Sequence, residues 1–119
     1  MRPHQNLIAW QESITLVKSI YLITMKFPET EKFGLTSQLR RASVSVACNI
    51  AEGAARKTKK EFAQFTYYSS GSLSEVDTLL LISKELILIN EEEYKSLLRI
   101  NDKVTALVNG LLKSLRQEN

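Results

Sequence analysis

The stretch LRRASVSVACNIAEG, residues 39–53, decides how this chain folds. Leu39, Ala42, Ser43, Val46 and Ile50 recur at the period of an α-helix and predict one buried face. Ala47, Ala51 and Ala55, with Val44 and Cys48 beside them, predict a second face of small packed side chains. Between the two faces runs a polar strip of Gln38, Arg41, Ser45, Asn49, Glu52 and Arg56. A surface helix needs only one apolar face. Two such faces predict contact on more than one side, with close backbone approach at the alanines and serines. Gly53 stands where a helix stops or a neighbour presses close. Cys48, the single cysteine, reads as a small packed side chain and leaves no partner for an internal disulfide.

Outward from this helix the same period recurs three more times. Asn6 is the expected N-cap of a first helix over residues 7–27, stopped by Pro28. That helix carries two apolar stripes, Trp10, Ile14, Val17, Tyr21 and Met25, and then Leu16, Ile20, Ile23 and Phe27. One stripe suffices for an intramolecular core. The second is assigned to a partner subunit, the competing assignment being one wide core face. Thr36 is the expected cap of the central helix, residues 36–55.

Thr58-x-x-Glu61 has the capping-box pattern and opens a third helix expected over residues 59–89. Its expected core face is Phe62, Phe65, Ser69, Ser72, Leu73, Val76, Leu80 and Ile87. Around Leu79–Ile82 it is apolar on all sides, so Leu81 and Ile82 join the expected subunit interface. Asn90 is the expected cap of a fourth helix over residues 91–116, with Glu91, Glu92 and Glu93 against its positive end. Tyr94, Leu97, Leu98, Val104, Val108, Leu111, Leu112 and Leu115 give it a single stripe. No segment alternates in the manner of a strand. Four long helices on short links predict an all-α, antiparallel up-down-up-down four-helix bundle, one domain over residues 1–119.

Composition narrows the function classes. A chain with 44% hydrophobic and 24% charged residues has the make-up of a soluble globular protein. Its net charge of +3 permits nucleic-acid contact without requiring it. The most apolar run, residues 79–89, is broken by Ser83, Lys84 and Glu85 and is too short to span a bilayer. The N-terminal segment lacks a signal-peptide pattern, so a cytoplasmic address and no membrane partner are expected. His4 is the only histidine, which leaves a hydrolytic triad almost nothing to be built from. There is no Cys-x-x-Cys, His-Glu-x-x-His or paired Glu-x-x-His, and no glycine-rich phosphate loop. The expectation is a non-enzyme with no metal and no cofactor.

The most suggestive cluster is the turn between the second and third helices. Arg56, Lys57, Lys59 and Lys60 fall within five residues, against the positive end of the helix that follows. Cations there repel the helix dipole unless an anion arrives, and phosphate is the anion such a site fits. Arg40 is a further candidate for this group. No aromatic residue interleaves the turn, so phosphate contact without base reading is expected. The competing reading is a solvated run of charge. Folding the third helix back on the second brings Arg41 within about one turn of Glu75. Gln38, Arg41, Asn49, Glu52 and Glu75 are therefore expected to form a structural polar network, unless Arg41 points into a channel between subunits.

Three segments, SQLRRASVSVACNIAEG, RKTKKEFAQF and SSGSLSEVDT, resemble the four-helix bundle protein family, also described as the 23S rRNA intervening-sequence protein family. The residues that carry the likeness are Gln38, Arg41, Ala42, Asn49, Ile50, Ala51, Glu52, Gly53, Phe62, Phe65, Gly71, Ser72, Leu73 and Glu75. The resemblance implies a bacterial protein that assembles into a ring, with a homopentamer as the expected assembly. A related branch, the accessory protein of diversity-generating retroelements, binds nucleic acid and a reverse transcriptase. The expected partners are thus a second copy of the chain, RNA or DNA, and a protein of the reverse-transcriptase kind. The competing expectation is a protein-interaction scaffold with no nucleic-acid contact.

Overall fold

Leu39, Ala42, Ser43, Val46 and Ile50 are all buried, so the first face of the central helix is the one its spacing predicts. The computed structural model describes residues 2–116. It contains α1 (Ile8–Thr24), α2 (Leu35–Ala54), α3 (Lys59–Glu85) and α4 (Glu91–Arg116), with short 3-10 turns at Pro3–Asn6 and Glu29–Glu31. Among the described residues there is no strand. α1 packs on α2 and α4, and α3 packs on α2 and α4, while diagonal pairs stay apart. Links over residues 25–34, 55–58 and 86–90 make neighbours antiparallel, giving a four-helix bundle of 48 × 21 × 21 Å.

The caps divide into two kinds. At α3 the Glu61 N–H donates to Thr58 Oγ1 at 3.1 Å, but the Thr58 hydroxyl meets the Glu61 carboxylate, so only half of the capping box forms. At α4 the box is complete: Glu93 N–H donates to Asn90 Oδ1 and Asn90 N–H to Glu93 Oε1. Glu93 also pairs with Lys26, two residues past the end of α1. The Lys26 ammonium and the Asn90 N–H hold the Glu93 carboxyl below its ordinary range. Two expected caps are not used. Asn6 lies in the first 3-10 turn, and α1 starts after Leu7. α2 starts one residue early, after Gly34, and Glu31 rather than Thr36 serves it, accepting from Leu35 N–H at 3.1 Å.

The two stripes of α1 are exchanged relative to expectation. Leu16 and Ile20 are wholly buried, Phe27 is buried and Ile23 packs against the same core. Leu16, Ile20 and Phe27 thus line the interior of the subunit and leave no face for a partner, while Ile23 is half-buried. In the other stripe Ile14, Tyr21 and Met25 are exposed, while Trp10 and Val17 are half-buried. The buried line of α1 also contains Ala9, Ser13 and Thr24. Counting only large apolar residues hides that line, because a hydroxyl can be buried at little cost when it bonds its own helix. Ser13 Oγ donates to Trp10 O and Thr24 Oγ1 to Ile20 O, at 2.6 and 2.7 Å. Ser43, Thr66 and Ser83 are buried in the same way. The helix itself ends at Thr24, short of the expected residue 27.

α3 also ends early, at Glu85 rather than 89. Leu88 N–H bonds Ser83 O and Ile87 N–H bonds Lys84 O, which closes the helix as a Schellman motif. This puts Ile87 in the left-handed position, φ 61°, where glycine is usual. Ile87 is exposed instead of lying on the core face, because the chain has already left the helix. Leu79 and Leu80 are buried, whereas Leu81 and Ile82 remain exposed on the subunit. The second face of α2 is only partly covered: Ala47 is buried, but Cys48 and Ala55 are exposed. On α4, Leu97, Val104, Val108 and Leu112 are buried as expected, and Asn101 joins them. Its amide donates to Leu73 O at 3.1 Å, and its Oδ1 has no partner among the described residues.

Candidate nucleic-acid interface

Gly53 sets the geometry of the basic turn. A Cβ there would lie 2.9 Å from Phe62 Cδ1 and from Phe65 Cβ, and 3.1 Å from Phe62 O. The end of α2 therefore presses on the start of α3 as only glycine allows. Ser69 Oγ donates to Val46 O at 2.9 Å further along the seam, so small side chains keep the helices close. The turn from Ala55 to Thr58 follows immediately; Arg56 and Lys57 are exposed on it, and Lys59 and Lys60 are exposed on the first turn of α3.

Two acids moderate the cluster. Glu52 Oε2 is 2.8 Å from the Arg56 guanidinium, and Glu61 is engaged by the Thr58 hydroxyl. The Arg56 guanidinium also lies over the Phe65 ring, 4.7 Å from its centroid. Lys57 and Lys60 have no ion pair among the described residues.

The end of α4 adds to this corner. Lys59, Lys60 and Gln64 line a surface depression of about 510 Å³ with Tyr67, Leu115 and Arg116. The Arg116 guanidinium donates to Tyr67 Oη at 2.5 Å and sits 5.8 Å from the ring centroid. No aromatic residue interleaves the turn in sequence, yet the fold sets Phe65 under Arg56 and brings Tyr67, two helical turns on, and Arg116 of α4 to the same corner. The signal for both is topological. In an antiparallel bundle the last turn of α4 returns to the first turns of α3.

Arg40 is not part of this corner. It stands 16 residues before Arg56 on α2, about 24 Å away along the helix. There its Nε donates to Thr24 Oγ1 at 2.9 Å, and its guanidinium lies over the Tyr21 ring at 4.5 Å. It ties the C-terminal end of α1 to α2, where a cation also suits the helix dipole.

The expected polar network is divided. Asn49 donates to Ser45 O and Ser45 Oγ, and the Ser72 hydroxyl bonds Ser45 Oγ at 2.9 Å, which links α2 to α3 through three short side chains. Glu52 turns to Arg56. Gln38, Arg41 and Glu75 are exposed, and among the described residues no hydrogen bond or ion pair joins Arg41 to Glu75. Arg41 instead lines a depression on the α1 side of α2 with Lys32 and Phe33. No cluster of three or more His, Cys, Asp or Glu side chains that could hold a metal occurs among the described residues. Nor is any helix among them long and apolar enough to cross a membrane.

The sequence matches the family described as 23S rRNA-intervening sequence protein over residues 5–110. The chain belongs to that family. The family description names no reaction. A solved structure from the S23 ribosomal protein family, a protein of unknown function from Bacteroides thetaiotaomicron, superposes with a TM-score of 0.80. The two share 18% identity, over 89% of this chain and 99% of that one, so the likeness is one of fold. No curated protein matches. The superposition is a second route to the bundle that the helical spacing predicts.

Proposed function

We propose that this member of the 23S rRNA-intervening sequence protein family is a non-enzymatic bundle that binds RNA or DNA through phosphate contacts at the α2–α3 turn. One observation carries the reading: four exposed cations on a corner fixed by Gly53, continued by Arg116 across the depression that Tyr67 lines. Phosphate contacts position a nucleic acid without reading its sequence, so affinity falls steeply with salt and varies little with base order. The test is fluorescence anisotropy of a generic RNA and a duplex DNA at two salt concentrations. The fourfold variant with Arg56, Lys57, Lys59 and Lys60 changed to Gln loses most of the low-salt affinity and keeps its helical spectrum. Equal affinity of variant and wild type overturns the reading.

Self-association is part of the proposal, with the pentamer coming from the family resemblance. With Leu16, Ile20 and Phe27 inside the subunit, the apolar surface left for it at the far end of α3 is Leu81, Ile82, Leu86 and Ile87, which are 44%, 40%, 58% and 87% exposed. Ring assembly multiplies weak corners by avidity. Sedimentation equilibrium checks it: a monomer at micromolar concentration refutes assembly, and an oligomer that Leu81→Glu with Ile82→Glu dissociates supports it. The same exposed side chains favour a second reading, a scaffold for another protein in a cytoplasmic complex. Binding to that protein would persist at high salt, where phosphate contact fails.

A further inference from the structure

Phe33 is 88% exposed, so its ring buries almost nothing and does no work for the fold. It lies on the link between α1 and α2, at the opposite end of α2 from the basic turn. With Tyr21, Lys32, Arg40 and Arg41 it lines a surface depression of about 470 Å³, and no acidic side chain lines it. Ser37 of the first turn of α2 adds a hydroxyl. The nearby acids belong to the link and are engaged there: Glu31 caps Leu35 N–H, and Glu29 sits 3.9 Å from the Lys32 ammonium. Arg41 has no ion pair among the described residues. Arg40 is fixed over Tyr21 by Thr24, so one planar cation is already stacked and hydrogen-bonded in place before any ligand arrives.

Each part of this set matches one part of a nucleotide. An exposed aromatic ring offers a face to a base, and guanidinium and ammonium groups beside it meet the phosphate. A duplex does not expose base faces, so the match is to an unpaired base. We propose that the depression between Tyr21 and Phe33 holds an unpaired nucleobase stacked on Phe33, with Arg41 and Lys32 on its phosphate. The proposal rests on the reading of the chain as a nucleic-acid binder, but it concerns other residues than the turn, and it makes that binder one that distinguishes single strands from duplexes.

The test uses the full chain and three labelled probes: a twelve-nucleotide single strand of deoxyadenosine, an abasic strand of the same length and charge, and a duplex of generic sequence. The expected result is that Phe33→Leu, which keeps apolar bulk and loses the ring, weakens the deoxyadenosine strand about tenfold and leaves the duplex within about twofold. Wild type is expected to bind the abasic strand about tenfold more weakly than the base-bearing one. Arg41→Gln weakens both single strands. Equal binding of the two strands by wild type overturns the proposal, as does equal loss of single strand and duplex in Phe33→Leu. So does a Phe33→Leu variant that changes the sedimenting species, since Phe33 is then a contact between copies. Displacement of the strand by adenosine monophosphate in wild type but not in Phe33→Leu supports the site with a free nucleotide as occupant; base-dependent binding that the monophosphate does not displace assigns it to a strand. The turn is judged separately by the duplex arm, where its fourfold Gln variant loses affinity and Phe33→Leu does not.

Discussion

In α2 the larger apolar side chains face the core, and in α1 and at its C-cap several of the largest face water. Leu39, Val46 and Ile50 are wholly buried, while Tyr21, Leu22 and Met25 are 40%, 69% and 74% exposed. α1 gives Ala9, Ser13 and Thr24 to the interior instead. Side-chain size therefore does not choose the buried face in this bundle. The choice falls to the face that lets helices approach and leaves no hydroxyl unbonded. On α1 both hydroxyls in the buried line bond their own helix, and Thr24 Oγ1 also receives Arg40 from α2. Each stripe thus has a distinct, measurable sensitivity.

The largest expected effect is at Ile20, which is wholly buried. Ile20→Glu puts an unpaired charge in the core and costs more than about 4 kcal/mol, enough to unfold the subunit. Loss of the far-ultraviolet helical signal checks it; a folded but dissociated subunit would instead return Ile20 to an interface and reverse the comparison. Next comes the seam of α2. Gly53→Val drives methyl groups into Phe62 and Phe65, contacts already at 2.9 Å for a bare Cβ, and costs about 2–3 kcal/mol in chemical denaturation. Thr24→Val is isosteric but removes the acceptor for Arg40 Nε, with an expected loss of about 1 kcal/mol. A neutral result there means that packing alone, not hydroxyl bonding, selects the inner face of α1. The smallest effect is on the outer stripe: Met25→Lys changes stability by no more than about 0.5 kcal/mol by the same measurement.

The bundle was legible in the sequence because the helical period and two of the four expected caps pointed to it. Asn90 with Glu93, Thr58 before Glu61, and the core line of Leu39, Val46 and Ile50 all appear where the pattern puts them. The face of α1 was not legible, because buried serine and threonine look polar until their bonds to Trp10 O and Ile20 O are seen. The exposure of Ile87 is hidden for a different reason. Nothing in the residue types LILI marks a Schellman closure, since the position that would normally be glycine is isoleucine. At the candidate site the cations of the turn could be named from sequence. The arrival of Tyr67 and Arg116 depends on the end of α4 lying beside the start of α3, and the separation of Arg40 from the turn depends on helix length. Arg41 is exposed beside Phe33 because the α1–α2 link, not α3, supplies its surroundings.

Gly53 has a consequence for the thermodynamics of that corner. With α2 pressed onto Phe62 and Phe65, the backbone between Ala55 and Thr58 is bounded by two anchored helices instead of forming a loose loop. A polyanion meeting the corner orders side chains and leaves the backbone as it was. Each immobilised lysine or arginine forfeits about 0.5–1.5 kcal/mol of rotamer freedom, and no loop-ordering cost is added to it. Calorimetry would then find association favoured by the entropy of released counterions, with a heat-capacity change too small for coupled folding.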